Sequence, residues 1–379
     1  MLFFARRERP GTVSASALQL ERHPMQLGIL GLQKAGKTTL FNTLTASREA
    51  TGKFLASDAT HLGVAKVPDP RLAALRDLFK PRSYVPATVD YVDIPGLQKG
   101  EGAESLDLAK LKAVDALLHV VRAFDDAEIP HADGSIDPLR DVHTIDLELI
   151  LSDHTLIERR LERLAKAGKR GTSPEEEREK KLLSEIVLPA LEAERPVRSL
   201  TLEGDDERLL RGYQLLTAKP MLVVLNVGEE RVANADPKDF GIDVAKTPAI
   251  VVSAPIEEEI SRLSPAEQKE FLGDLGLNEP SLDRVLRASF DLLGRIAFFT
   301  VGEDEVRAWT IRRGTRAKEA AGTIHSDIER GFIRAEVVAC KALLELKTLA
   351  ACRDKGLLRL EGKEYEVLDG DVINFRFNV

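Results

Sequence analysis

Gly31-Leu-Gln-Lys-Ala-Gly-Lys-Thr38 is a complete phosphate-binding loop of the form G-x-x-x-x-G-K-S/T. The apolar run Leu27–Leu30 before it reads as a strand, and Leu40, Phe41 and Leu44 after it fall on one face of a helix. In such a loop two glycines let successive backbone N–H groups turn inward onto a polyphosphate, and the following helix adds its positive N-terminal end. The loop therefore predicts Gly31, Lys34, Ala35, Gly36, Lys37, Thr38 and Thr39 as nucleotide-binding. Lys37 is expected to reach the β- and γ-phosphates, and the Thr38 hydroxyl to ligate Mg²⁺.

The remainder of the chain gives this loop a setting. With 379 residues two or three domains are expected, and 43% hydrophobic residues suffice for sizeable cores. No apolar run is long enough to span a bilayer, so no membrane contact is expected. A net charge of −8 argues against a general nucleic-acid binder and leaves RNA contact to a local basic patch, with no sequence-specific DNA reading. Two cysteines, Cys340 and Cys352, make no disulfide framework and fit a reduced, cytoplasmic protein. Residues 1–24 read as a tail, or as sequence upstream of a start at Met25.

Short apolar runs at Thr88–Ile94, Ala116–Val121, Pro220–Leu225 and Ala249–Val252 alternate with helical segments such as Arg71–Leu78. This pattern predicts a parallel α/β sheet that binds ligands at the carboxyl ends of its strands. Thr51–His61 has no clean period and reads as a loop. Ile145, Leu149, Leu156, Leu161 and Leu164 predict an amphipathic helix. After a break at Gly168–Gly171, Ser173-Pro-Glu-Glu176 opens a second helix with a capping box, so a helical hairpin is expected. Ile296–Val301, Val306–Ile311 and Ile333–Ala339 are strand-like. Tyr365–Leu368 and Val372–Phe377 read as a hairpin through Asp369-Gly370.

Three further motifs follow strands: Asp93-x-x-Gly96, Asn226-Val-Gly-Glu229 and Ser253-Ala254. Asp93 can hold Mg²⁺, and Gly96 can meet the γ-phosphate. With the phosphate loop they make the ordered set of a Ras-like nucleotide domain. In Asn226–Glu229 a valine, Val227, and a glutamate, Glu229, stand where a GTPase normally carries the lysine and aspartate of Asn-Lys-x-Asp. Glutamate's extra methylene displaces the carboxylate by about 1.5 Å. Loss of the paired guanine contacts relaxes discrimination and admits ATP. His119, inside an apolar strand, reads as a sheet residue or as a group that orients water.

From Met25 to Val379 the chain resembles the YchF/Obg-like ATPase family of Obg-type translation-factor GTPases, and residue differences suggest a diverged branch. The resemblance rests on Val67-Pro-Asp-Pro-Arg-Leu72, Asp93-Ile-Pro-Gly-Leu97, His119-Val-Val-Arg122, Leu225-Asn-Val-Gly-Glu229, Val306-Arg-Ala-Trp-Thr-Ile311, Ala320-Ala-Gly-Thr-Ile-His325 and the ending from Asp369. It implies an α/β fold: a Ras-like P-loop domain (25–135 and 208–295), an inserted α-helical hairpin (136–207) and a C-terminal β-grasp (TGS) domain (296–379). It also implies an ATP- or GTP-hydrolysing enzyme that contacts ribosome or translational RNA through its TGS and helical units. Among the alternatives are a nucleotide-gated adaptor with negligible hydrolysis and a strict GTPase assembly factor. Alignment on the family's switch puts Ser57 at the Mg²⁺-sensing threonine, with Thr60 as the alternative. Leu97 replaces the water-orienting glutamine, and the segment from Gly100 to Leu111 is shorter than the family's. The family loop carries an asparagine that helps hold K⁺ where this chain has Lys34, so Lys34 is a catalytic candidate beside Lys37 and Thr38, and K⁺ dependence is doubtful.

Overall fold

The computed structural model describes residues 25–45, 61–95, 107–126, 128–129, 131, 134–167 and 173–378. The expected positions Ser57, Thr60, Gly96 and Leu97 and the break at 168–171 lie outside them. The first part of the chain runs β1 (Gln26–Leu30), α1 (Lys37–Thr45), β2 (His61–Lys66), α2 (Pro70–Phe79), β3 (Ser83–Val85), β4 (Thr88–Asp93), α3 (Leu108–Ala113) and β5 (Ala116–Ala123). The helical insert follows as α4 (Pro138–Ala167), α5 (Pro174–Leu182), α6 (Leu188–Glu192) and α7 (Gly204–Arg211). Strands β6 (Met221–Val227) and β7 (Ala249–Val252) return to the first sheet, with α8 (Ala254–Ile260), α9 (Pro265–Asp274) and α10 (Ser281–Leu292) behind them.

The first sheet has the order β2-β4-β1-β5-β6-β7, parallel throughout except for the antiparallel β2–β4 pair. Strands β5 and β6 are buried at every residue, which is why they read as unbroken apolar runs. One face packs Leu118, Val120, Leu222 and Val224 with Leu40 and Phe41 of α1. The other packs Leu117 with Ile145 and Leu149 of α4.

In the insert, α4 is a single helix of 30 residues. Opposite it, α5 starts at the expected capping box: Glu176 N–H donates to Ser173 Oγ, and Ser173 N–H donates to the Glu176 carboxylate. Between α5 and α6 the helix widens into a π turn at Leu183–Val187, just before Pro189, which has no N–H to donate. Ile157 and Leu164 of α4 meet Leu183, Val187 and Leu191 in a core belonging to the insert. Buried Asp153 of α4 ties down the returning chain by accepting from Leu216 N–H (2.9 Å), Thr217 N–H (2.8 Å) and Thr217 Oγ1–H (2.6 Å).

The C-terminal part contains β8 (Arg295–Val301), β9 (Glu305–Arg312), α11 (Ala317–Ile324), α12 (Ser326–Arg330), β10 (Phe332–Ala339), α13 (Cys340–Leu346), α14 (Leu349–Asp354), β11 (Arg359–Glu361) and β12 (Asp371–Phe377). Its mixed sheet has the order β11-β10-β12-β8-β9-β3. The outermost member, β3, comes from the first part of the chain and pairs parallel with β9. The expected terminal hairpin does not form. Residues 365–368 make no strand, and β12 instead lies antiparallel to β10 and parallel to β8. The Asp-Gly turn is there, closed by Asp371 accepting from Leu368 N–H, but Asp369 is committed elsewhere, accepting from Ala297 N–H on β8.

Asp153→Ala would leave two buried N–H groups without acceptors. We expect it to lower unfolding stability by about 3 kcal/mol, read by urea denaturation. A loss below about 0.5 kcal/mol would show that water replaces the carboxylate.

Candidate nucleotide site

The loop between β1 and α1 is shaped by the strand ends beneath it. Gly31 has φ +151°, and a Cβ there would stand 2.2 Å from the Val120 carbonyl oxygen, a backbone atom that cannot step aside. Gly36 has φ +93°, and its Cβ would fall 2.3 Å from Asn226 Nδ2. Both positions therefore require glycine. Lys34, at φ +62°, is a non-glycine residue in the left-handed region and is exposed at the loop tip.

Asn226, buried at the end of β6, links three motifs. Its Nδ2–H donates to the Ala35 carbonyl (3.1 Å), and its Oδ1 accepts from Ala254 N–H (3.0 Å). The structure thus brings the phosphate loop, Asn226 and the Ser253-Ala254 turn together. Val227 is buried in the core, whereas Glu229 is exposed on a short turn past Gly228. Ser253 is fully buried, and its Oγ has no hydrogen-bond partner.

Lys37 is buried and donates from Nζ to the Leu32 carbonyl (2.7 Å). Burial pushes its pKa down to about 8, against the opposing pull of Asp93. Burial raises the Asp93 carboxyl above its usual range, while Lys37, His61 and Lys110 pull it down. Burial thus works against the charged form of both groups. The Thr38 hydroxyl is exposed at the first turn of α1. Two oxygens, the Thr38 hydroxyl and the desolvated Asp93 carboxylate, suit a hard divalent cation, so these residues fit Mg²⁺.

His119 lies in the middle of β5, buried, with neither ring nitrogen hydrogen-bonded. Burial, with Arg198 and Lys37 nearby, drives its pKa to about 3, so it is neutral. Of its two readings, that of a sheet residue is the one its position fits. The sequence reading missed His131. That residue lines a cleft with Leu32, Gln33 and Ala35 of the phosphate loop and with Arg122. Its Nε2–H donates to Asp141 (3.0 Å), whose other oxygen accepts from Arg140. Arg122 stacks on Phe124 and donates from Nε to the Phe124 carbonyl, while its Nη1 is buried without a partner.

Fold and site together define a P-loop nucleotide-binding protein with a Ras-like domain interrupted by a helical insert and followed by a C-terminal mixed-sheet domain. Residues 26–152 match the family model described as 50S ribosome-binding GTPase. Residues 295–378 match the C-terminal YchF-GTPase model, described as a protein of unknown function. The ribosome-binding ATPase YchF of Bacillus subtilis is 43% identical over 93% of this chain and 99% of its own length. Obg-like ATPase 1 of Rattus norvegicus is 35% identical over 93% of this chain and 92% of its own. The structure of the Schizosaccharomyces pombe YchF GTPase superposes with a TM-score of 0.81 at 31% identity, covering 97% of this chain and 99% of that one. The chain belongs to the YchF family.

A bound polyphosphate would restore the charge on Lys37. At pH 9, above the lowered pKa of the free protein's Lys37 amine, ATP binding should take up a substantial fraction of one proton. At pH 6.5 this group should contribute none. Calorimetry in two buffers of different ionisation enthalpy reads the uptake, and Lys37→Arg should abolish it. No uptake at pH 9 by the wild-type protein would contradict the assignment.

Proposed function

We propose that this protein is a Mg²⁺-dependent nucleoside triphosphatase that binds ATP at least as well as GTP and associates with the ribosome. The observation that carries the nucleotide choice is the loop after β6. Val227 is turned into the core, so no side chain from that position lies along the base, and Glu229 stands where a guanine clamp would need a shorter carboxylate. Lys37, the Thr38 hydroxyl and Asp93 are the residues we assign to the phosphates and Mg²⁺, with Gly96 at the γ-phosphate and Ser57 or Thr60 as a further Mg²⁺ ligand. Leu97 stands in place of a water-orienting glutamine, and among the described residues the polar side chains beside the loop include Gln33, Arg122 and His131, the last held by Asp141. When bound, Mg²⁺ would supply positive charge against the β- and γ-oxygens.

The ribosome reading is supported by relatives named ribosome-binding ATPase. It is also supported by basic side chains on the C-terminal, TGS-like unit. Arg312, Arg313, Lys318 and Arg334 are exposed there, whereas Arg316 and Arg330 are offset by Glu364 and Asp327. Titration calorimetry with ATP and GTP, followed by single-turnover hydrolysis with and without ribosomes, tests the function. ATP should bind at least as tightly as GTP, Glu229→Asp should shift preference toward GTP, and ribosomes should raise the hydrolysis rate. A strong wild-type GTP preference would overturn the nucleotide assignment. Hydrolysis that stays negligible with ribosomes would favour a nucleotide-gated adaptor.

Lys34 gives the site its own character. At the tip of the loop, where the family's asparagine helps hold K⁺, its ammonium can carry the same charge without a free ion, and positive charge near the developing transition state lowers the barrier. Turnover should then be indifferent to exchanging K⁺ for Na⁺. Lys34→Asn should lower turnover in Na⁺ and gain a K⁺ response. A wild-type enzyme strongly activated by K⁺ would refute this role.

A further inference from the structure

Two sequence stretches that the nucleotide site does not use, Val67-Pro-Asp-Pro-Arg-Leu72 and Asp369-Gly-Asp371, meet in space. Arg71 at the start of α2 is gripped by Asp69, to which it donates from Nε (3.0 Å) and Nη2 (2.8 Å). Its Nη1 donates to Asp369 Oδ2 (2.7 Å), 298 residues along the chain. The guanidinium also lies over the Phe299 ring, 5.4 Å from its centroid. Asp369 is held in turn by Ala297 N–H, and Gly370 has φ +85°, with the place of its absent Cβ 2.7 Å from Arg71 Nη1.

The contact continues along α2 and β3. Arg82 N–H donates to the Glu303 carbonyl (3.1 Å), Ser83 N–H donates to the Asp304 carbonyl (2.9 Å), and β3 then pairs with β9 from Ser83↔Glu305 to Val85↔Arg307. Leu72 and Leu75 of α2 are fully buried and share one core with Val306, Val338, Leu343 and Val372 of the C-terminal domain.

The α2–β3 excursion is inserted between β2 and β4, and these two strands form an antiparallel pair with two different ends. At one end His61 faces Asp93, the carboxylate coupled to Lys37. At the other, Lys66 faces Thr88, and from there the chain leaves for α2 and returns from β3. A packed pair of strands passes displacement along its length, because its cross-strand bonds and side-chain contacts allow only a few discrete arrangements.

We propose that the β2–β4 pair with the α2–β3 excursion is a mechanical link, through which the occupant of the nucleotide site at Asp93 sets the position of the C-terminal domain. It rests on the reading of this protein as a nucleotide-binding ATPase. Linkage requires the converse as well: a partner that binds the C-terminal domain preferentially in one position changes nucleotide affinity by the same factor.

Hydrogen exchange of the full-length protein, with Mg²⁺ and either ADP or a non-hydrolysable ATP analogue and without ribosomes, tests the link. Two variants loosen it. Ser83→Pro removes one bond to Asp304 at the first residue of an edge strand, where proline is tolerated. Arg71→Lys combined with Asp369→Asn removes the forked ion pair. In the wild type, exchange at Glu305–Arg312 should differ by at least about twofold between the two nucleotides. In both variants that difference should shrink by half or more, while protection of Gly31–Thr38 by nucleotide persists. Two results would overturn the link: a wild-type β9 that ignores the nucleotide although the phosphate loop is protected, or variants that keep the full difference. A phosphate loop that gains no protection at all would instead overturn the nucleotide-binding reading, and the link with it.

Discussion

One side-chain amide holds the nucleotide site together. Asn226 offers a donor to the Ala35 carbonyl and an acceptor to Ala254 N–H, and all three groups are buried. Aspartate has the same shape but lacks the donor, and would set a buried carboxylate oxygen against a carbonyl. The amide's position fixes its neighbours in turn. With Nδ2 where a Cβ of residue 36 would be, only glycine fits the second turn of the phosphate loop. The Val120 carbonyl on β5 imposes the same limit on Gly31. The loop carrying the phosphate-binding motif is therefore moulded by the carboxyl ends of β5 and β6, two strands buried along their whole length.

That moulding carries an electrostatic cost, and the cost prepares the site. Lys37 and Asp93 are both taken out of water, and each is pushed toward its neutral form. Their attraction through space offsets only part of the desolvation. On the proposed assignment, a polyphosphate with a divalent cation would supply the missing partners together, the anion for Lys37 and the cation for Asp93. The two histidines differ in their partners. His119 is neutral within the sheet with neither ring nitrogen hydrogen-bonded, whereas His131 is hydrogen-bonded to Asp141 at 3.0 Å.

What could be read from the sequence was whatever the chemistry writes contiguously. A phosphate cradle needs glycines and a lysine at fixed spacing. Strands covered on both faces give unbroken apolar runs, and a capping box needs Ser173 and Glu176 three apart. Features made by distant residues left weaker traces. Strand β2 was not recognised because its core-facing residues are Gly63 and Ala65, while Leu62 and Val64 point outward. Gly63 is small because Thr45 presses on it, with Cγ2 2.3 Å from the place of its missing Cβ. Strand β3 is three residues long and meaningful only beside β9. The Asp369-Gly370 turn was legible, but its use as a hairpin was misjudged, because Asp369 serves Ala297 and Arg71 instead. His131 sits outside any periodic segment, and its sole signal was an aspartate ten residues on.

The loop after β6 separates two properties that are usually discussed as one. Asn226 faces the phosphate loop and is immobilised by it, and Val227 is locked into the core. From Gly228 onward the chain leaves the sheet, and Glu229 and Glu230 are exposed. On the proposed assignment, substitutions at 229 would alter what the loop offers to a base without touching the residues assigned to phosphate. A change at 226 would loosen both. On the proposed assignment, nucleotide preference would be free to drift between adenine and guanine while Lys37, Thr38 and Asp93 stay as they are, because the chain leaves the buried sheet just after Val227.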